Sequence, residues 1–195
     1  MSQSEAFSLL ALDGRPLSAR RYEPAGPPRG AVVVLPAFAV PQRFYARFAG
    51  FLAAHGYRAL TFDPRGIGDS RRVHPRLESI STSGWARLDY AAACRWLASQ
   101  PGPRLAVGHS LGGQILGLTD EARAIEGLFG VAAQLAYWGH YEGAARWGMR
   151  ALFTGVMPAI RRAFGYYPGR LGLGEDVPPE AVREWLRWMR SPRYY

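Results

Sequence analysis

The sequence predicts an α/β fold with a mostly parallel sheet, and three observations predict it. Short apolar runs at Ala31–Leu35, 57–62, 105–107 and 125–132 have strand length without strict alternation, which suits strands buried in a parallel sheet. Segments with helical spacing lie between them, at separations typical of βαβ units with right-handed crossovers. The third run stops at a glycine-rich hinge, Gly108-His-Ser-Leu-Gly-Gly, from which a helical pattern starts.

The elements follow in order. Phe7, Leu9 and Ala11 alternate with Ser8 and Leu10, Asp13-Gly14 supplies a tight turn, and 17–22 returns, so the N-terminus reads as a β-hairpin. A proline- and glycine-rich loop, 24–30, leads to the strand Ala31–Leu35. Helical spacing over 43–55 puts Phe44, Phe48, Phe51 and Leu52 on one side, and Gly56 ends that helix. The strand 57–62 runs into a polar loop. Trp85, Leu88, Ala92 and Trp96, with Leu97 beside them, then mark a helix that Ser83 is placed to cap. After the strand 105–107 come a helix over 111–118 and the strand 125–132. From Tyr137 onward aromatic residues crowd a segment that reads as two or three short helices broken at Pro158 and Pro168. A last amphipathic helix over 180–190 turns Val182, Trp185, Leu186 and Met189 inward. The expected division is an α/β core over 1–135 and a helical lid over 136–195.

Composition narrows the function classes. The chain has 195 residues, 48% hydrophobic and 20% charged, enough for one domain with a real core. Its net charge is +9, and all 24 basic residues are arginine. They are scattered, with short pairs at Arg20–Arg21, Arg71–Arg72 and Arg161–Arg162, whereas a nucleic-acid binder clusters its cations on one face or arm. Nucleic acid is therefore not an expected partner. The single cysteine, Cys94, lies in a helical stretch and reads as a small core residue, which suits a reducing compartment. The N-terminus has no basic region followed by an apolar core, and no run is long enough to span a membrane, so the expected location is the cytoplasm.

The hinge carries the chemistry. The pattern G-x-S-x-G is short enough to arise by chance, but a strand before it and a helix after it give it a mechanical reading. Strand and helix backbones approach closely at such a turn, so the positions two before and two after the serine need minimal side chains. Gly108 and Gly112 meet that need. The turn would lift the Ser110 hydroxyl clear of the sheet as a nucleophile. It would also aim the Leu111 N–H, at a helix N-terminus, toward an oxyanion. The bland alternative is a glycine-rich turn with a capping serine.

With these residues in view, the chain resembles the α/β-hydrolase superfamily, and within it serine-aminopeptidase-like and lysophospholipase-like hydrolases. Three stretches carry the likeness in the right order: V-V-V-L-P-A-F-A at 32–39, F-D-P-R-G-I-G-D-S at 62–70 and G-H-S-L-G-G at 108–113. The resemblance is clearest over residues 5–135. It implies that the loop after the first parallel strand donates a second oxyanion-hole N–H. Pro36-Ala37 stands where the family often has His-Gly, which points to the Phe38 N–H. The aromatic segment falls where such hydrolases insert a lid, and Y-Y-P-G-R-x-G-x-G-E-D and R-S-P-R-Y are similar to one branch of bacterial hydrolases. No metal or organic cofactor is implied.

The same resemblance exposes a gap. In this superfamily an acid and then a histidine follow the serine. No strand-like run occurs after Ala133 and no histidine after His140, so the last strands and the usual general base and acid are expected to be missing, as in a truncated hydrolase. His109 precedes the serine within the motif and in the family is not the base. His55 reads as a surface helix cap and His74 as a solvated loop residue. That leaves His140, in the lid segment, as the candidate base after the serine; beside Trp138 and Tyr141 it reads more simply as packing. Asp63 and Asp69 are expected to fix their loop by turn hydrogen bonds. The favoured function is a serine hydrolase acting on a small-molecule ester, thioester or amide with an apolar portion, with acyl transfer to another acceptor equally allowed. The alternative is a relic that keeps the fold as a binding or interaction module.

Overall fold

The computed structural model describes residues 3–195. Six strands form one sheet: β1 (Gln3–Leu10), β2 (Pro16–Glu23), β3 (Ala31–Leu35), β4 (Arg58–Phe62), β5 (Arg104–His109) and β6 (Gly127–Val131), in the spatial order β1-β2-β4-β3-β5-β6. β1 and β2 make the N-terminal antiparallel hairpin, and β2 joins the sheet antiparallel to β4. The β4, β3, β5 and β6 strands run parallel, with Leu35 opposite Gly108 and His109 opposite Val131. The α/β architecture and mostly parallel sheet expected from the sequence are therefore present.

Every residue of β3 is buried, as its unbroken apolar run requires. β5 differs. Ala106 and Gly108 are buried on one face, while Leu105, Val107 and His109 are only half-buried on the other. The reason lies in α1 (Ala46–Ala54), which follows a 3₁₀ turn at Gln42–Tyr45. It packs Ala49 and Ala53 against Tyr22 and Ala59, on the β2–β4 half of that face. The predicted stripe of Phe44, Phe48 and Phe51 does share one side of the helix, but that side is exposed. Small residues let α1 sit close to the sheet, so its aromatics project past the packed strands. Phe44 and Phe48, with Phe129 and Val131 of β6, border an apolar groove of about 400 Å³ lined also by Val34, Tyr45, Val107 and His109.

The other face carries the main core. A continuous helical stretch comprises α2 (Thr82–Gly84), a π-helical turn (Trp85–Tyr90) and α3 (Ala91–Ala98). The residue that caps it is Ser81, whose Oγ accepts the Gly84 N–H at 3.0 Å. Ser83, expected as the cap, instead donates both its N–H and its hydroxyl to Glu184. Cys94 is fully buried and burial pushes its thiol up to about 12, in keeping with an inert packing residue. α4 (Leu111–Gln114) runs into a 3₁₀ turn, Ile115–Leu118, and buries Leu111 and Ile115.

The aromatic segment also departs from the sequence reading. α5 (Gly143–Ala151), a π-helical turn (Leu152–Val156) and α6 (Met157–Phe164) form one run, and Pro158 does not break it. The π turn explains this. The Met157 N–H bonds back to the Leu152 carbonyl, so the helix re-registers just before the residue that lacks a donor. Gly165, with φ +74°, ends the run. The last helix, α7 (Pro179–Met189), buries Ala181, Val182, Leu186 and Met189 in the same cluster as Trp85, Leu111 and Ile115. Trp185 is half-buried rather than fully inward.

Candidate active site

The site grows from two loops at the C-terminal ends of β3 and β5. Ser110 follows β5 with φ +47° and ψ −115°, a conformation that non-glycine residues rarely adopt. Three hydrogen bonds hold it there. Its N–H donates to the Val131 carbonyl at 2.8 Å, and its own carbonyl accepts from Gly113 N–H at 3.0 Å and Gln114 N–H at 3.3 Å. The peptide linking Ser110 to Leu111 is trans, so a carbonyl pointing into the helix turns the Leu111 N–H outward. That amide has no partner among the described residues, and neither has the Ser110 hydroxyl of the half-buried side chain.

The glycines are required by space. A Cβ on Gly108 would lie 2.6 Å from the Gly113 Cα. A Cβ on Gly112 would fall on the Leu35 carbonyl oxygen and within 2.8 Å of the Pro36 oxygen. The first turn of α4 is therefore pressed against the end of β3, which sets the 36–40 loop beside Ser110. Gly113 has a similar role, since its Cβ would meet that of Ala133 at 2.7 Å.

The 36–40 loop closes through the Val40 N–H, which donates to the Ala37 carbonyl at 3.2 Å. By the same trans-peptide argument the Phe38 N–H points away from the turn, and it too has no partner among the described residues. Ala39 takes φ +62°, where glycine is the usual choice. The loop 166–177 holds it: the Glu175 N–H donates to the Ala39 carbonyl at 2.9 Å, and the Glu175 carboxylate engages Arg43 and Arg71. The Phe38 ring stacks on Trp185 at 4.5 Å and meets Trp85 edge-on at 5.7 Å. Nothing in the sequence pattern announced Ala39, Glu175 or Trp185 as supports for this loop, because each acts across a long chain separation.

The histidines do not gather around Ser110. The Tyr45 hydroxyl accepts the Ala37 N–H at 2.9 Å and lies 2.9 Å from His109 Nδ1. Burial pushes Tyr45 up to about 12 and lowers His109, so the pair is neutral. His109 faces the apolar groove beside Phe44. His140 is exposed, with Nδ1 3.4 Å from the Leu135 carbonyl and its ring edge-on to Tyr137 at 5.2 Å. It makes no hydrogen bond to Ser110. His55 caps its helix through Nδ1 on the Phe51 carbonyl, and His74 stands exposed at its loop.

The 62–70 loop is a buried brace. Asp63 accepts from Gln42 N–H, Gln42 Nε2 and Asp69 N–H, and burial holds its carboxyl above the usual range. Arg65 bonds Asp13 in the hairpin turn and Asp89 in the π turn of the 82–98 helix, and its carbonyl accepts Trp85 Nε1–H.

A profile of the alpha/beta hydrolase family matches residues 32–195. The chain belongs to the alpha/beta hydrolase family. No curated protein matches this hydrolase-family chain. Solved structures do. The alpha/beta hydrolase GrgF from Penicillium sp. sh18 is 21% identical over 96% of this chain and 65% of its own, with a TM-score of 0.59. DcsB, solved in complex with its substrate analogue, is 20% identical over 83% of this chain and 54% of its own, also at 0.59. A highly thermostable carboxyl esterase from Bacillus coagulans is 18% identical over 83% of this chain and 51% of its own, at 0.53. At these identities the likeness is one of fold, and this alpha/beta hydrolase chain spans about half to two thirds of their lengths. No helix among the described residues is long and apolar enough to cross a membrane.

Proposed function

We propose that this chain carries the nucleophile and oxyanion-binding half of a serine hydrolase acting on an ester, thioester or amide with an apolar portion. The observation that carries the reading is the strained Ser110 hinge beside two unsatisfied amides, those of Leu111 and Phe38. Ser110 Oγ attacks the carbonyl carbon as its proton passes to a general base that no described residue places at Ser110, and the developing oxyanion is received by the two N–H groups, an interaction worth about 3–4 kcal/mol per donor in the transition state. The helices and loops of 136–195 act as the lid over that site, with Trp185 and Phe153 as an apolar wall near Phe38. The favoured substrate is thus one whose acyl or leaving group is apolar.

A second reading has its own observation: no imidazole is hydrogen-bonded to Ser110 among the described residues. A serine hydroxyl without a base is a poor nucleophile at neutral pH, so the fold would then serve as a binding module. Labelling with a fluorophosphonate probe separates the two. The hydrolase reading expects covalent modification at Ser110 that disappears in Ser110→Ala. A folded protein that takes up no probe at that position favours the binding module.

A further inference from the structure

We propose that the helical run 143–164 and the loop after it, to Gly174, form a docking surface for an anionic lipid interface. Residues 143–174 contain five arginines, Arg146, Arg150, Arg161, Arg162 and Arg170, and no aspartate or glutamate. None of the five guanidinium groups lies within ion-pair distance of a carboxylate among the described residues, although arginines elsewhere in the chain form many such pairs. Arg146 and Arg150 sit 5.5 and 5.3 Å over the Trp138 ring, and Arg170 sits 5.8 Å over Phe164. A cation–π contact holds a guanidinium in place without cancelling its charge. Glu180 and Glu184 of α7 border the groove beside Arg161, but they are engaged by Arg183 and Arg187.

The apolar side chains of this run divide in a way that fits an interface. Phe153 and Met157 are buried and anchor the run to the core, while Trp147 is 61% exposed and Val156 50% exposed. The whole first part of α5, 143–148, stands in solvent. An acid-free basic helix with an exposed tryptophan among its arginines has the composition of a segment lying in a headgroup layer. There indole and guanidinium groups both sit comfortably. A duplex or single-stranded nucleic acid would take the charge but offer nothing to the exposed apolar side chains of Trp147, Val156 and Leu171. The inference is independent of Ser110 chemistry.

The test is co-sedimentation of the intact chain with vesicles of phosphatidylcholine alone and with one third phosphatidylglycerol, at low salt. Binding is expected only with the anionic vesicles and is expected to fall away in 0.5 M salt. Each juxtamembrane arginine is worth roughly a fivefold change in partitioning, so Arg150→Gln with Arg162→Gln should weaken binding about 25-fold. Trp147→Ala, at an exposed position, should weaken it several-fold without changing the fold. Phe129→Ser, which alters the apolar groove lined by Phe44 and Phe48 and none of residues 143–174, should leave it unchanged. Failure of the folded protein to bind anionic vesicles would overturn the proposal. So would equal binding to neutral ones, wild-type binding by the double arginine variant, loss in Phe129→Ser alone, or preference for DNA over vesicles.

Discussion

At the scale of single residues, the site depends on positions where a side chain is either impossible or held against its preference. Gly112 is the plainest case, since any Cβ there lands on the backbone of β3, which cannot move aside. Gly112→Ala should cost about 1–3 kcal/mol by urea denaturation, in the range of an overpacked core. Asp13 offers a pH-dependent test. Arg65 bonds both its oxygens and holds its carboxyl down to about 2. The native state therefore binds fewer protons than the unfolded chain, and the stabilisation is complete above about pH 4 and lost as pH falls toward about 2. Asp13 is partly exposed, so the effect is about 1 kcal/mol or less. The stabilities of wild type and Asp13→Asn should differ at pH 6 and converge near pH 2.

At the scale of elements, helix ends and register were decided by partners rather than by local pattern. Ser81 and Ser83, two residues apart, are both good capping residues, and the sequence reading named Ser83 alone. The choice fell to Ser81 because Glu184, on α7, claims Ser83. Ser81→Ala should cost about 1 kcal/mol and speed amide exchange at the start of α2, read by hydrogen exchange. Ser83→Ala should leave that exchange unchanged. Pro158 teaches the same lesson. A proline predicts a break when the helix must stay in α register, and the π turn at Leu152–Val156 removes that condition.

At the scale of the whole molecule, the sheet is unevenly covered. α1 shields the β2–β4 half of one face, while the β5–β6 half leaves Phe129, Phe44 and Phe48 exposed, and among the described residues β6 has a neighbour on one side only. An apolar edge strand of this kind favours association. Phe129→Lys, at a residue 67% exposed, should reduce concentration-dependent light scattering of the chain without lowering its melting temperature. The opposite face is tied together by Arg65, which links hairpin, loop and helix through Asp13 and Asp89. Burial pushes Asp89 up to about 6 even beside that guanidinium. Arg65→Ala would strand this carboxylate and should cost about 3–5 kcal/mol in thermal or chemical unfolding.

The parallel strands, the hairpin and the Ser110 hinge could be read from sequence because each rests on a local rule: an apolar run of strand length, an Asp-Gly turn, glycines flanking a serine. Those rules act within a few residues, so one chain segment contains its own answer. The exposed side of α1, the choice of Ser81 over Ser83, and the hold on Ala39 by Glu175 came only from the tertiary structure. Each depends on which distant segment arrives beside it, and that is settled by packing the whole chain at once.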